Sequence, residues 1–578
     1  MAHINTEAEV VWLCWPRFDS SFIFGKLLDD EKGGCFSIKP MSDYTVKQYY
    51  LDNTNVLATE FDCKDGRFRV IDCAPRFYNY ERYFKPLMLF RKVELLEGSP
   101  KVQVICRPRD EYGQAEPDTQ IGSNHIRYSG LSGSVRLTTN LSLSYILEEK
   151  PFVLTRSSYL VLSYGNPLEA PLETVAEELL TKTIGYWRRW VRYSNIPTFG
   201  QGEVIRSCLL LKMHQFEDTG AIIASSTTSL PEHPGSGRNW DYRYCWIRDT
   251  FYTLEALRNI GQGAELEGYS HYIQNIAANE KGRYSPVYTI LADHDFEEQI
   301  LDLKGYKNNQ PVRIGNQAKE HIQNDVYGQL LVSLLPLYVD QRFIDEGQNS
   351  VALINRLLDL IEQTIDEPDA GLWEFRNLSQ KHCYTFLFHW AGAMAATQIG
   401  EALNEPEIVK KSQRLVEAAR KQIEACYDEE LGAYTQAIGS KNLDASLLQL
   451  ITMNYLDPSS DRAREHLIAL EKALMSENGL FYRYKHEDDF GKPQSTFLIC
   501  AYWYVEALAC VGRVDEAIKY FKKFGGYGNH LGLLSEDVEE KNGSQWGNFP
   551  QTYSHVGLIN AAFRIETKLD LPDFISHE

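Results

Sequence analysis

The chain has no Cys-x-x-Cys pair, no block of basic residues and no long uncharged apolar run, and each absence removes a class of function. Eleven cysteines, an odd number, are spread singly. That spacing fits neither a structural zinc site nor a disulfide framework, and reduced thiols are expected. Lys and Arg number 59 against 79 Asp and Glu, a formal charge of -20, which argues against a phosphate-tracking nucleic-acid surface. The most apolar stretch, Phe497 to Val511, carries Glu506 and is short for a membrane span. The opening residues MAHINTEAEV lack the basic and apolar regions of a signal peptide. Cytoplasm is the expected location, and the acidic surface leaves the oligomeric state open.

What the chain has in quantity is aromatic side chains, 34 Tyr and 10 Trp among them. Flat rings with a polar edge suit the apolar faces of sugars, although a tyrosine-rich core would give the same count. With 578 residues, two domains are the default. Residues 1–165 read as short strands: VLATEFDCKDGRFRVIDC is a hairpin pattern around Asp65-Gly66, and KVQVICR, GSVRLTTNLSLSYI and SSYLVLSYG are further strand candidates. An N-terminal antiparallel β-sandwich is expected. Residues 166–200 read as a helical linker, with Leu172, Val175, Leu179, Thr183, Tyr186 and Trp190 spaced three or four apart.

Residues 201–578 are dominated by helix patterns of two kinds. NDVYGQLLVSLLPLYV, YTFLFHWAGAMAATQIGEAL and STFLICAYWYVEALACVG are apolar on nearly every face, whereas EPEIVKKSQRLVEAARKQIEACY and PSSDRAREHLIALEKALMSE each keep a polar side. A helix apolar all round must be enclosed by other helices. An inner and an outer layer follow, and about a dozen helices fit the length. Six helical hairpins closed into an (α/α)6 barrel are therefore expected.

Five polar stretches interrupt these helices. GSGRNWDYRYCWIRD ends in Arg248 and Asp249 at a predicted helix start, where Asp249 reads equally as a cap paired with Arg248. QPVRIGNQA carries Arg313, and NGLFYRYK places Arg483 between tyrosines. GLWEFR sets Glu374 beside Trp373; a carboxyl against an indole is partly desolvated, which favours its protonated form. LLSEDVEEKNGSQWGNF brings Glu536 directly out of an apolar segment.

Taken in order, these five motifs resemble those of glycoside hydrolase family 15, which holds glucoamylases, glucodextranases and some trehalases. VVWLCWPRFDSSFIFGKLLD near the N-terminus is similar to the sandwich domain that bacterial and archaeal members carry. The resemblance implies Glu374 as general acid and Glu536 as general base, and it sets Arg248, Asp249, Arg313 and Arg483 around the terminal sugar. Trp240, Tyr242, Trp246 and Trp373 become pocket walls. It also implies inversion at the anomeric carbon. Glycoside hydrolysis needs one carboxylic acid for the leaving oxygen and one carboxylate for the water. This chemistry calls for no cofactor, and no metal-ligand spacing is seen. The expected function is an exo-acting hydrolase releasing β-glucose from α-glucans or malto- and isomalto-oligosaccharides, with α,α-trehalase as the alternative. A disaccharide phosphorylase and a non-catalytic glycan-binding protein are more distant rivals, and the paired Glu374 and Glu536 argue against both.

Overall fold

The computed structural model describes residues 1–168, 170–342 and 350–569. The chain divides into two compact units, the first comprising residues 1–194 with 300–312, the second 195–299 with 313–578.

The first unit is built on two antiparallel sheets. One runs Ala2–Ile4, Val10–Cys14, Cys35–Pro40, Lys101–Arg107 and Phe152–Val153, with Phe22–Phe24 also pairing Val10–Cys14. The other has eight strands, from Asp118–Ile121 at one edge to Tyr44–Tyr50 at the other. Alternating residues of both, among them Val10, Phe36 and Val104 from one and Phe61, Val93 and Leu160 from the other, meet in a single core. Arg91 crosses that core: fully buried, it grips Asp72 at 2.7 Å and donates to the Phe36 carbonyl at 2.7 Å. Burying a guanidinium is tolerable only with this many acceptors.

Two local expectations shift. The hairpin pairs Cys63 with Gly66, so its tight turn is Lys64-Asp65 and Gly66 already belongs to the strand. A Cβ at Gly66 would lie 2.3 Å from the Glu97 carbonyl, which explains the glycine there. The stretch GSVRLTTNLSLSYI is a strand only over Val135–Thr139 and then turns into helix α1 (Leu143–Leu147). Helix α2 (Leu172–Arg192) buries Leu172, Leu179, Thr183 and Trp190 on one side as their spacing requires, and it is part of the first unit.

The second unit is a double-layered ring of helices. In chain order the outer and inner partners are α3 (Gln201–His214) with α4 (Thr250–Asn259), α5 (Gly263–Asn279) with α6 (Asp325–Val339), and α7 (Val351–Thr364) with α8 (Cys383–Ala402). The series continues with α9 (Pro406–Glu424) and the one-turn α10 (Gln449–Thr452), α11 (Asp461–Leu474) and α12 (Leu498–Cys510), and α13 (Val514–Gly525) and α14 (Thr552–Glu566). Every residue of α12 is buried, while α9 and α11 bury one face. The inner helices pack in sequence, α4 on α6 and α6 on α8, then through the 3-10 turn Ala445–Leu448 and the adjoining α10 to α12 and α14, and α14 returns to α4. Asn560 of α14 donates to the Tyr252 carbonyl of α4 at 3.0 Å, a polar clasp at the closure.

The α6–α8 contact depends on two glycines. A Cβ on Gly328 would stand 1.9 Å from the Phe388 carbonyl oxygen, and one on Gly392 would meet the Gly328 Cα at 2.5 Å. No rotamer change relieves a clash with backbone, so these helices would have to part. Gly328→Ala is therefore expected to destabilise the protein by about 1–3 kcal/mol, read as a lowered urea midpoint; an unchanged midpoint would show that the helix contact is looser than described.

Candidate active site

One pocket gathers the unusual loops at the N-terminal end of the inner helices. Asp249 precedes α4, Phe497 precedes α12, and Gln551 and Tyr553 begin α14; all line it. Helix N-termini carry partial positive charge, and this end of the ring suits a site built on carboxylates. Its volume, including the space open to solvent, is about 900 Å³.

The segment 239–246 is fixed by backbone bonds to 224–229: Ser229 N donates to the Trp240 carbonyl, Ser225 N to Tyr242 and Ala224 N to Tyr244, and the chain bends at Arg243–Tyr244. Arg238, Trp240, Tyr242, Trp246, Arg248 and Asp249 line the pocket, whereas Tyr244 is buried and stacked on Phe296. Asp241 and Arg243 turn inward as a fully buried ion pair at 2.7 Å. Asp241 also accepts from Gly315 N at 3.2 Å, which fixes the loop that carries Arg313.

Two carboxylates enter this pocket, each held by an aromatic ring of that segment. Glu374 Oε1 accepts from Trp246 Nε1 at 2.7 Å and from an Arg248 nitrogen at 2.9 Å. Glu536 Oε1 accepts from the Tyr242 hydroxyl at 2.7 Å. The Tyr242 and Trp246 rings themselves meet edge to face, with centroids 5.4 Å apart. Glu374 has a left-handed backbone, φ 60°, an unfavourable state for a side chain with a Cβ, of the kind that collects at functional positions. Glu536 is 1% exposed. Burial and the neighbouring Glu232 carboxylate push its pKa up to about 7, against the pull of Arg483 and the Tyr242 hydrogen bond.

The remaining residues singled out in the sequence fall into place differently. Asp249 holds the N-cap position of α4 without a side-chain capping bond; its Oδ1 accepts from Arg248 Nε at 3.0 Å instead. Arg248 also donates to the Leu372 carbonyl at 3.0 Å. Arg483 lines the pocket and reaches Glu232 at 2.8 Å. Trp373 lines it too, but its indole donates to Asp444 at 2.9 Å, and the indole bonded to Glu374 is that of Trp246. Arg313 is outside the lining. Its guanidinium lies 4.6 Å from the Trp240 ring centroid and donates to the Gly237 and Asn239 carbonyls, so it supports a wall of the pocket from behind.

Glu232 and Tyr553, which the sequence motifs leave out, complete the site. Glu232, Glu536 and Asp537 are buried, with potential ligand atoms all within 4.8 Å of one another. Arg483 stands 2.8 Å from Glu232 and 3.7 Å from Asp537, and Arg238 lies 3.8 Å from Glu232. A cation could enter this cluster only in competition with those guanidinium groups. Tyr553, buried and lining the pocket, has a hydroxyl without a protein partner.

The model of Glycosyl hydrolases family 15 matches residues 201–563, and the trehalase-like N-terminal model matches residues 1–148. The chain belongs to glycosyl hydrolases family 15. It is a glycosidase by that membership. It is 32% identical over 96% of its length to a protein named trehalase from Thermoplasma volcanium, covering 90% of that protein. Another protein named trehalase, from Mycobacterium tuberculosis, is 28% identical over 97% of this chain and 87% of its own. Among solved structures, a bacterial glucoamylase complexed with acarbose superposes with a TM-score of 0.68 over 98% of this chain and 96% of that one, at 16% identity. That likeness concerns the sandwich-plus-helical fold. No helix among the described residues is long and apolar enough to cross a membrane.

Gly547, φ 78°, packs directly on Glu536: a Cβ there would lie 2.6 Å from Glu536 Cβ and 2.7 Å from its Oε2. Gly547→Ala would have to displace the Glu536 carboxylate. We expect kcat to fall at least about tenfold, with thermal stability lowered only modestly; unchanged kcat would show that the position of Glu536 does not matter.

Proposed function

We propose that the protein is an α,α-trehalase using Glu374 as general acid and Glu536 as general base. The observation that carries this reading is the set of relatives named trehalase, similar along nearly the whole chain and including its N-terminal domain. It is preferred to the glucoamylase-like activity expected from the motifs, which the fold neighbour supports only at the level of architecture.

The geometry supplies a consistent division of labour. Both donors to Glu374, Trp246 and Arg248, fall on Oε1. Oε2 is left to carry the proton and deliver it to the glycosidic oxygen as the bond breaks. Glu536, with its backbone amide bonded to the Asn548 carbonyl at 3.2 Å and its Oε1 fixed by Tyr242, takes a proton from the attacking water. Arg248 and Asp249 would hold hydroxyls of the glucose being attacked, and the Tyr553 hydroxyl would offer another contact. Charge-assisted bonds of this kind cost least when donor and acceptor are already fixed.

Three expectations test the proposal. Among trehalose, maltose, maltotriose, isomaltose, starch and dextran, glucose release should be fastest from trehalose, with kcat/KM at least about a hundredfold above the rest; preference for maltotriose or starch would refute the trehalase reading. Glu374→Gln and Glu536→Gln should each lower kcat by about 10²–10⁴-fold with folding intact, and activity within tenfold of wild type in either would refute that assignment. Finally, a base works only when ionised. With Glu536 pushed up to about 7, kcat/KM should fall as pH drops through about 7. Glu232→Gln, which removes the like charge, should move that acidic limb to lower pH; a limb that stays in place would show that another group governs it.

A further inference from the structure

The pocket is bounded in part by a short turn, Asp488–Gly491, that precedes α12. Asp488, Asp489 and Phe490 all line the pocket. The turn is closed on itself, with Phe490 N donating to Asp488 Oδ1 at 2.7 Å and Gly491 in a left-handed conformation, φ 87°. Two separate anchors then tie it across the pocket. Asp488 is gripped by Arg238 and by the Tyr484 hydroxyl. Asp489 takes the backbone amide of Arg376 at 2.6 Å, that of Asn377 at 3.2 Å and the Asn377 side-chain amide at 2.8 Å. Those acceptors bind the loop that begins at Glu374, so the turn spans from one wall of the pocket to the loop of the proposed acid.

Phe490 sits at the middle of this strap. Its ring meets Trp240 edge to face at 5.3 Å, and the Arg238 and Arg376 guanidinium groups each lie 5.3 Å from its centroid. Arg376 also lies 4.6 Å from the Trp240 centroid. Rings and planar cations packed in this way make a stiff wall. Despite this, Phe490 remains 39% exposed, a large apolar surface left at the pocket rim. Such a face is suited to the apolar side of a sugar ring.

We infer that the strap Asp488–Gly491 is the outer wall of the leaving-sugar pocket and limits the enzyme to disaccharides, with Phe490 as the contact and Asp489 as the latch. The inference rests on the trehalase reading and adds a substrate-length limit to it. A third sugar joined to the leaving glucose would have to pass through the ring pair Phe490–Trp240 or break the bonds of Asp489.

The test compares trehalose with α-maltosyl α-glucoside, a trisaccharide that is trehalose lengthened by one α-linked glucose on its leaving half, whose hydrolysis at the trehalose linkage releases maltose. The wild-type enzyme should strongly prefer trehalose. In Phe490→Ala and Asp489→Ala the ratio of kcat/KM for the trisaccharide to that for trehalose should rise about tenfold or more. The trehalose KM should rise by more than kcat falls. Phe490→Tyr, which keeps the ring, should retain the wild-type ratio. A wild-type enzyme that accepts both sugars equally, or alanine variants with the wild-type ratio, would overturn the strap assignment. If the wild type prefers maltose to trehalose, the trehalase reading fails by itself, and the same variants compared on maltotriose and maltose decide the strap.

Discussion

Both carboxylates of this site are held by one short segment, residues 240–246, whose side chains do two kinds of work. Its outward rings, Tyr242 and Trp246, hold Glu536 and Glu374 at 2.7 Å each and are packed against one another. Two inward side chains, Asp241 and Arg243, form a fully buried ion pair within the segment, and Asp241 ties it to the neighbouring loop by accepting from Gly315 N at 3.2 Å. Breaking a buried pair leaves an uncompensated charge and costs several kcal/mol, so the conformation of the segment is firmly held. The barrel's task is to deliver the two carboxylates, from loops far apart in the chain, to this common rail. It does so by closing α14 onto α4.

The charges around Glu536 set its chemistry. Three buried carboxylates would repel one another strongly without the guanidinium groups of Arg483 and Arg238. The compensation is incomplete for Glu536, whose pKa remains near 7. A carboxylate poised there is a stronger base than an ordinary one while still being ionised in part at neutral pH. Glu374 is held differently, by a cation and an indole on a single oxygen. Two glutamates in one pocket thus meet unlike surroundings, Glu536 among like charges and Glu374 beside a cation.

Much of this was legible in the sequence because the signals were local. The all-apolar patterns of α6, α8 and α12 identify the inner layer, and the polar faces of α9 and α11 the outer one. Arg248, Asp249, Glu374 and Glu536 stand out as polar residues at the edges of apolar segments, and the structure gathers all four in one pocket. Other features had no local signal. Glu232 lies in SLPEHPG, and nothing in that stretch distinguishes a buried partner of Arg483 from a turn residue. Asp488 and Asp489 look like a solvated acidic turn until the loops they bind are brought beside them. Trp373 drew attention by adjacency to Glu374 in sequence, whereas the contact is made by Trp246, which the fold brings from a distant loop.

In the proposed mechanism Glu374 and Glu536 act from opposite faces of the sugar, one on the leaving oxygen and one on water. Trehalose makes this directly visible, because both of its glucose units start as α anomers. Proton NMR of the first turnovers should show α- and β-glucose appearing together in equal amounts, before mutarotation mixes them. Two equivalents of α-glucose and no early β-glucose would mean retention through a covalent intermediate, and would contradict the account.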